Sequence, residues 1–251
     1  MMIEHLWRVT LGRWLFIKSK IHSRTEAATV DFVAANTCIP VPRIWMCIPW
    51  KGMEYLVMSR IRGVSLDVVW DSLPQDKRDI VTEQIRGFVM QLRTLHPPPG
   101  HLSICSVTGG AVACYRLHND GLAGPFRDEA HMNVQLRRLR PVEEYPAVVH
   151  SVHAKRHPLV FTHNDLAPRN IMYDEPSGKV LALIDWESAG WFPGYWEYTK
   201  TLNWVCKRPT EADWKKEVPK MIPAYEEEAE ADWLLMYKTG SGWLSPLIHA
   251  P

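Results

Sequence analysis

The tripeptide HND occurs twice in this chain, in LHNDGLAGPF at residues 117–126 and in FTHNDLAPRN at residues 161–170. The downstream residues distinguish the two copies. Five residues after Asp165 stands Asn170, and a second acid, Asp185, ends the apolar run VLALI, whereas five residues after Asp120 stands Pro125, which has no side-chain ligand. An aspartate, an asparagine and a second aspartate from one compact loop and hairpin form the set that phosphoryl transfer uses. One carboxylate orients and deprotonates an attacking hydroxyl, while an amide and a carboxylate hold magnesium against a triphosphate. An isolated HND is most simply an Asn-Asp turn, and the first copy is expected to be one. The second is expected to carry chemistry, because Asn170, Asp185 and a strand-turn-strand lie in register with it.

These residues need elements to position them. PLVFTH reads as a strand, followed by a polar loop, and NIMYD and KVLALIDW read as two strands joined by the tight turn EPSG. Upstream, HLWRVTLGRWLFIK is two extended runs around Leu11-Gly12-Arg13, the pattern of a hairpin. SRTEAATVDFVAANT places Ala27, Val30, Phe32, Val33 and Ala34 at helical spacing and stops at Pro40 and Pro42. RIWMCIPW and EYLVMSRI flank the turn KG, so residues 1–62 read as a small sheet with one helix. Beyond Gly63, the stripe Ile80, Val81, Ile85, Phe88, Val89, Leu92 and Leu95 predicts a long core helix, ended by the prolines at 97–99. DEAHMNVQLRRL predicts another helix, and the Trp- and Glu-rich remainder after KVLALIDW is expected to be helical.

Composition narrows the function classes. A chain of 251 residues with 46% hydrophobic residues is long enough for a sizeable core. A net charge of +1 with dispersed basic residues argues against nucleic acid as a partner. Five cysteines, an odd count without a CxxC pair, argue for reduced thiols rather than a disulfide framework or zinc ribbon. MMIEHLWRVT has no signal-peptide core, and no apolar run approaches a membrane span, so a cytoplasmic protein without a membrane partner is expected. No oligomeric state is legible.

HNDLAPRN followed by ALIDWE resembles the aminoglycoside phosphotransferase family, the small-molecule branch of the protein-kinase-like fold, and is similar to its fungal members of unknown substrate. The resemblance implies a two-lobed α/β (α+β) fold, with an N-terminal nucleotide lobe at 1–62 and a C-terminal catalytic and substrate lobe at 63–251. It implies ATP and Mg2+ as cofactors and a small-molecule hydroxyl as acceptor. Asp165 would be the base and His163 would brace its loop, with Asn170 and Asp185 on the metal. Lys18 would hold phosphate oxygens and be positioned by Glu26. In YLVMSRIRGVSL, which resembles the family's hinge, Met58 would line the adenine pocket, and Ser59 and Ile61 would offer main-chain hydrogen bonds. A glycine-rich loop should precede Lys18, yet Gly12 is the sole glycine there and GxGxxG occurs nowhere. The N-terminal lobe is therefore expected to lack its first strand and phosphate loop, to bind ATP weakly, and to find both encoded upstream of Met1. The rival expectation is a catalytically impaired pseudokinase that acts as a binding module. A protein kinase fits less well, because the loop has no HRD arginine, IDWE stands in place of DFG, and no APE follows.

Lesser patterns carry less. His150, His153 and His157 share one helix face if 147–157 is helical, but no carboxylate or cysteine completes a metal set and Pro158 limits the helix. KTG at 238–240 has no SxxK to accompany it. YEEEAEAD reads as a solvated helix face, with a cation-attracting wall for an aminated acceptor as the alternative.

Overall fold

The computed structural model describes residues 8–12, 14–20, 23–97, 103–117, 121–203 and 209–239. The first HND copy, at 118–120, lies outside them, as do Cys206 and Gly240 of KTG.

β1 (Arg8–Leu11) and β2 (Leu15–Lys20) form an antiparallel hairpin at the place the sequence indicated. β3 (Ile44–Trp50) and β4 (Met53–Ser59) form a second, across Lys51 and Gly52 with φ of +50° and +77°. Two positive values in a two-residue loop match the right-handed twist of the strands it joins. The four strands make one sheet in the order β1-β2-β4-β3. α1 (Ser23–Asn36) lies against it, and Ala27 packs with Leu56 and Met58. In β2 the two-residue strand period sends Lys18 and Lys20 to the same face.

The larger part is mainly helical. β5 (Val64–Ser65) leads through α2 (Leu66–Val69) to α3 (Gln75–Thr94), which buries Val81, Ile85, Val89 and Leu92. Ile80, assigned to this stripe from the sequence, is 47% exposed; about 100° of helix turn separates it from Val81 and leaves it at the rim. β6 (Val112–Ala113) and β7 (Leu122–Ala123) form a short ribbon. α4 (Glu129–Leu136) starts where Asp128 accepts the His131 amide at 2.8 Å, and α5 (Ala147–Ala154) comes next. β8 (Leu159–Thr162) runs into the second HND, and β9 (Ile171–Asp174) and β10 (Lys179–Leu183) form the hairpin behind it. β10 ends before Asp185, short of the run KVLALIDW, because Asp185 takes a left-handed φ of +66° that no strand accommodates.

The chain then forms β11 (Gly190–Pro193), antiparallel to β8, where helix was expected. Backbone contact decides this segment: Trp191 donates to the Cys105 carbonyl at 2.8 Å, and a Cβ on Gly190 would stand 2.5 Å from that same oxygen. The helical remainder is α6 (Trp196–Asn203), α7 (Pro209–Met221) and α8 (Glu226–Thr239). Trp70, Ile85, Phe161, Ile171, Trp186 and Trp191 centre the main core beneath the HND loop. Among the described residues no helix is long and apolar enough to cross a membrane.

Candidate active site

The HND loop is fixed from below. Glu197, buried on α6, accepts the His163 amide at 2.6 Å and the Asn164 amide at 3.0 Å through its two oxygens. Asn164 donates to the Ser188 carbonyl and accepts from Trp196 Nε1, both at 2.8 Å. Its φ of +63° is left-handed, a conformation Asn tolerates better than most residues. His163 is fully buried, packs on Trp186, and has Nε2 3.0 Å from the Ile184 carbonyl. A carbonyl can only accept, so Nε2 carries the proton; burial lowers the ring's pKa and favours this neutral form. His163 thereby joins the Asp165 loop to the residue before Asp185. Asn170 donates to the Asp165 carbonyl at 2.8 Å and to its carboxylate at 2.7 Å, and Ile184 donates to the Asn170 carbonyl at 2.9 Å. Arg169 pairs with the other Asp165 oxygen.

Across from this loop, Lys18 Nζ lies 2.8 Å from Glu26, bonds Asp185, and stands 3.3 Å from Glu187, which also pairs with Lys20. Burial opposes the charge on Lys18, but the three carboxylates outweigh it and raise the pKa. Burial is also the largest influence on Glu26 and raises its pKa, against the lowering by Lys18. A cleft of about 380 Å³ opens here, lined by Lys18, Glu26, Met58, Ser59 and Ile61 on the sheet side and by Asn170 and Asp185 on the other. Asp165 lines a separate small pocket, and Arg169 borders both. His163 lies beneath the loop and lines neither.

The Ser59 amide donates to the Arg43 carbonyl at 2.8 Å, so Ser59 can offer a ligand its carbonyl, while the Ile61 amide enters no backbone hydrogen bond among the described residues. Three contributors were not singled out from the sequence. Lys20 and Glu187 each lie two positions from a chosen residue, and the strand period alone puts Lys20 beside Lys18. Glu197 left no local signal, since its partners are amides more than thirty positions away.

The acidic stretch divides: Glu226, Glu227 and Glu230 stand exposed on α8, as a solvated face would, whereas Glu228 and Asp232 are buried. Glu227 and Glu228 pair with Lys155 at 2.7 and 2.6 Å, Asp232 pairs with Arg116 at 2.7 Å, and Glu226 accepts from Tyr198. The three histidines are separately engaged: His150 with the Tyr145 carbonyl, His153 with Arg137, and His157, beyond the end of α5, with Glu129 and Glu228.

Glu197 also sets a pH dependence. Burial raises its carboxyl to about 7, against the two amides that favour its anion. Unfolded glutamate titrates near 4.3, so between the two values the folded state holds a proton that the unfolded state has lost. Stability is therefore expected to fall as pH rises from about 4.5 to 7, by roughly 3 kcal/mol from this group, and to level off above. Denaturant unfolding across that range checks this, since Glu197→Gln should flatten the slope.

A model of the phosphotransferase enzyme family matches residues 17–236. No curated protein matches by sequence. Among solved structures, the apo form of a thermostable mutant of aminoglycoside phosphotransferase APH(4)-Ia is similar at 13% identity and TM-score 0.64, covering 92% of this chain and 84% of that one. An aminoglycoside-3'-phosphotransferase of type VIII is similar at 16% identity and TM-score 0.60, covering 92% and 87%. Aminoglycoside phosphotransferase APH(3'')-Id from Streptomyces rimosus, in complex with ADP and streptomycin, is similar at 14% identity and TM-score 0.55, covering 93% and 92%. At such identities the likeness is one of fold.

Proposed function

Because the chain belongs to the phosphotransferase enzyme family, we propose that it moves the γ-phosphoryl group of ATP to a hydroxyl of a small molecule. The observation that carries this reading is the placement of Lys18, Asn170 and Asp185 around one cleft, with Asp165 tied to Asn170 at its border. Residues 1–62 would present the nucleotide and residues 63–251 the catalytic groups, in the cytosol. Ser59 would accept from adenine through its carbonyl and Ile61 would donate through its amide, beside Met58. Lys18, fixed by Glu26, would hold phosphate oxygens. Asp165 would accept the acceptor's hydroxyl proton, and His163, as a positioning residue, would keep that loop against Asp185.

The donor set suits magnesium, a hard cation that takes oxygen ligands. Carboxylate oxygens of Glu26, Asp185 and Glu187 lie within 4.8 Å of one another, and Asn170 commits its amide nitrogen to Asp165, which leaves its carbonyl oxygen as a donor. Magnesium on Asn170 and Asp185 would neutralise charge on the phosphates. Asp185→Ala is accordingly expected to abolish the magnesium dependence of ATP binding, and an unchanged dependence in calorimetry would remove Asp185 from the metal site.

A titration of ATP with magnesium, followed by a labelled-ATP transfer screen over hydroxylated compounds, tests the whole reading. Absence of ATP binding would reject it. ATP binding with no transfer to any acceptor would favour a binding module, a reading supported by the three carboxylates that already surround Lys18.

A further inference from the structure

We infer that the open face of the N-terminal sheet docks a second copy of this chain, sheet against sheet, in a symmetric dimer. Cross-strand partners share a face, and the register sorts the side chains of β2, β3 and β4 into two sets. Phe16, Ile44, Cys47, Leu56 and Met58 face α1 and pack with its Ala27. Ile17, Met46, Ile48, Trp50, Tyr55 and Val57 face the other way and join no buried cluster among the described residues. Met46 is 52% exposed, Ile48 45% and Trp50 57%, with the Trp50 ring 5.8 Å from that of Tyr55. The charged residues of these three strands are all on the α1 side, where Lys18 pairs with Glu26, Lys20 with Glu187, and Glu54 with Arg24.

A second copy is the occupant these features select. Without a charge on these strands, the face offers nothing to an ionic partner, and it is the open side of a sheet rather than the concave pocket a small ligand needs. Its outward apolar side chains leave roughly 600 Å² of surface per copy, so two copies face to face would bury about 1,200 Å², the lower limit of stable interfaces. Two sheets of equal twist pack aligned at about 30° with their side chains interdigitated, a condition that two copies of one face meet by construction. The alternative, pairing along the β3 edge, is blunted: Pro49 has no amide to donate, and a bulge interrupts the strand between Ile44 and Met46. At the rim, Lys51 stacks on Trp50 at 4.6 Å and Arg43 on Trp45 at 4.2 Å, so cations frame the contact on both copies. The cleft lined by Lys18 and Met58 opens on the opposite face and stays accessible.

The test is sedimentation equilibrium on the full chain. A reversible dimer with a dissociation constant of about 1–100 μM is expected, tightening as salt screens the rim cations from one another. Isologous packing sets each residue of the face against the same patch on the other copy. Ile48→Lys and Ile48→Glu should therefore each weaken the dimer about tenfold or more through like charge, while an equimolar mixture of the two recovers it. Met46→Lys with Met46→Glu is a second pair, for use should either Ile48 variant lose its thermal midpoint. Tyr237→Lys, at an exposed site on α8, should leave the dimer as it is. A monomer at about 100 μM, a dimer unmoved by the variants of the face, a loss matched by Tyr237→Lys, a mixture that recovers nothing, or a dimer that weakens with salt would overturn the inference. So would a monomer that instead sediments with phosphatidylserine vesicles, which would assign the face to a lipid surface.

Discussion

Replacing Asp165 by asparagine is expected to cut phosphotransfer by about 10²–10⁴-fold while leaving ATP affinity nearly unchanged, the usual loss when a general base is removed. Separation of the effects comes from position. Asp165 does not line the cleft that holds Lys18, Met58 and Asp185, so losing its charge takes no direct contact from the nucleotide. Asparagine keeps the shape and one side-chain oxygen, which can still accept from Asn170. The loop should therefore stay in place while the proton acceptor is lost. Single-turnover transfer and ATP titration on the same preparation check both halves. Equal turnover in variant and parent would take Asp165 out of the mechanism.

Glu197→Ala should have the largest effect on folding of any change at the site. It strips the acceptor from two buried amides, those of His163 and Asn164, and leaves a cavity under the loop. Each unsatisfied buried donor costs about 1–3 kcal/mol, so a total loss of roughly 3–5 kcal/mol is expected once lost packing is included. Against a typical stability of about 5–15 kcal/mol, that brings the chain close to unfolding. Glu197→Gln should recover part of the loss, since its carbonyl can accept one amide while its nitrogen faces the other. A shift below about 1 kcal/mol for the alanine variant in urea unfolding would mean that the loop holds its shape without this clamp.

Much of this arrangement was legible because its determinants are local. The glycine turns at Gly12, Gly52 and Gly178 mark their hairpins through positive φ, and Asp128 marks the start of α4. The interval from Asp165 to Asn170 is a property of one loop. What was not legible depends on partners far away in sequence. Gly190 and Trp191 become a strand because Cys105 and β8 lie alongside, and nothing within GWFP announces either. Glu228 and Asp232 of α8 look as solvated as their exposed neighbours until Lys155 and Arg116 arrive from other elements. The basic lining of the Asp165 pocket escaped for the same reason, since Arg169, Lys200 and Lys215 are spread over nearly fifty positions and meet only in three dimensions.

The left-handed backbone at Asn164 and Asp185 has an evolutionary consequence. For most L-residues this conformation costs on the order of 1 kcal/mol or more, while glycine, asparagine and aspartate enter it readily. Drift at these two positions is therefore steered toward that trio by the backbone, before any demand of catalysis acts. At 185 two of the three permitted residues bring a side-chain oxygen. A lineage that stopped transferring phosphate could keep an oxygen donor there for long periods, simply because few other residues fold.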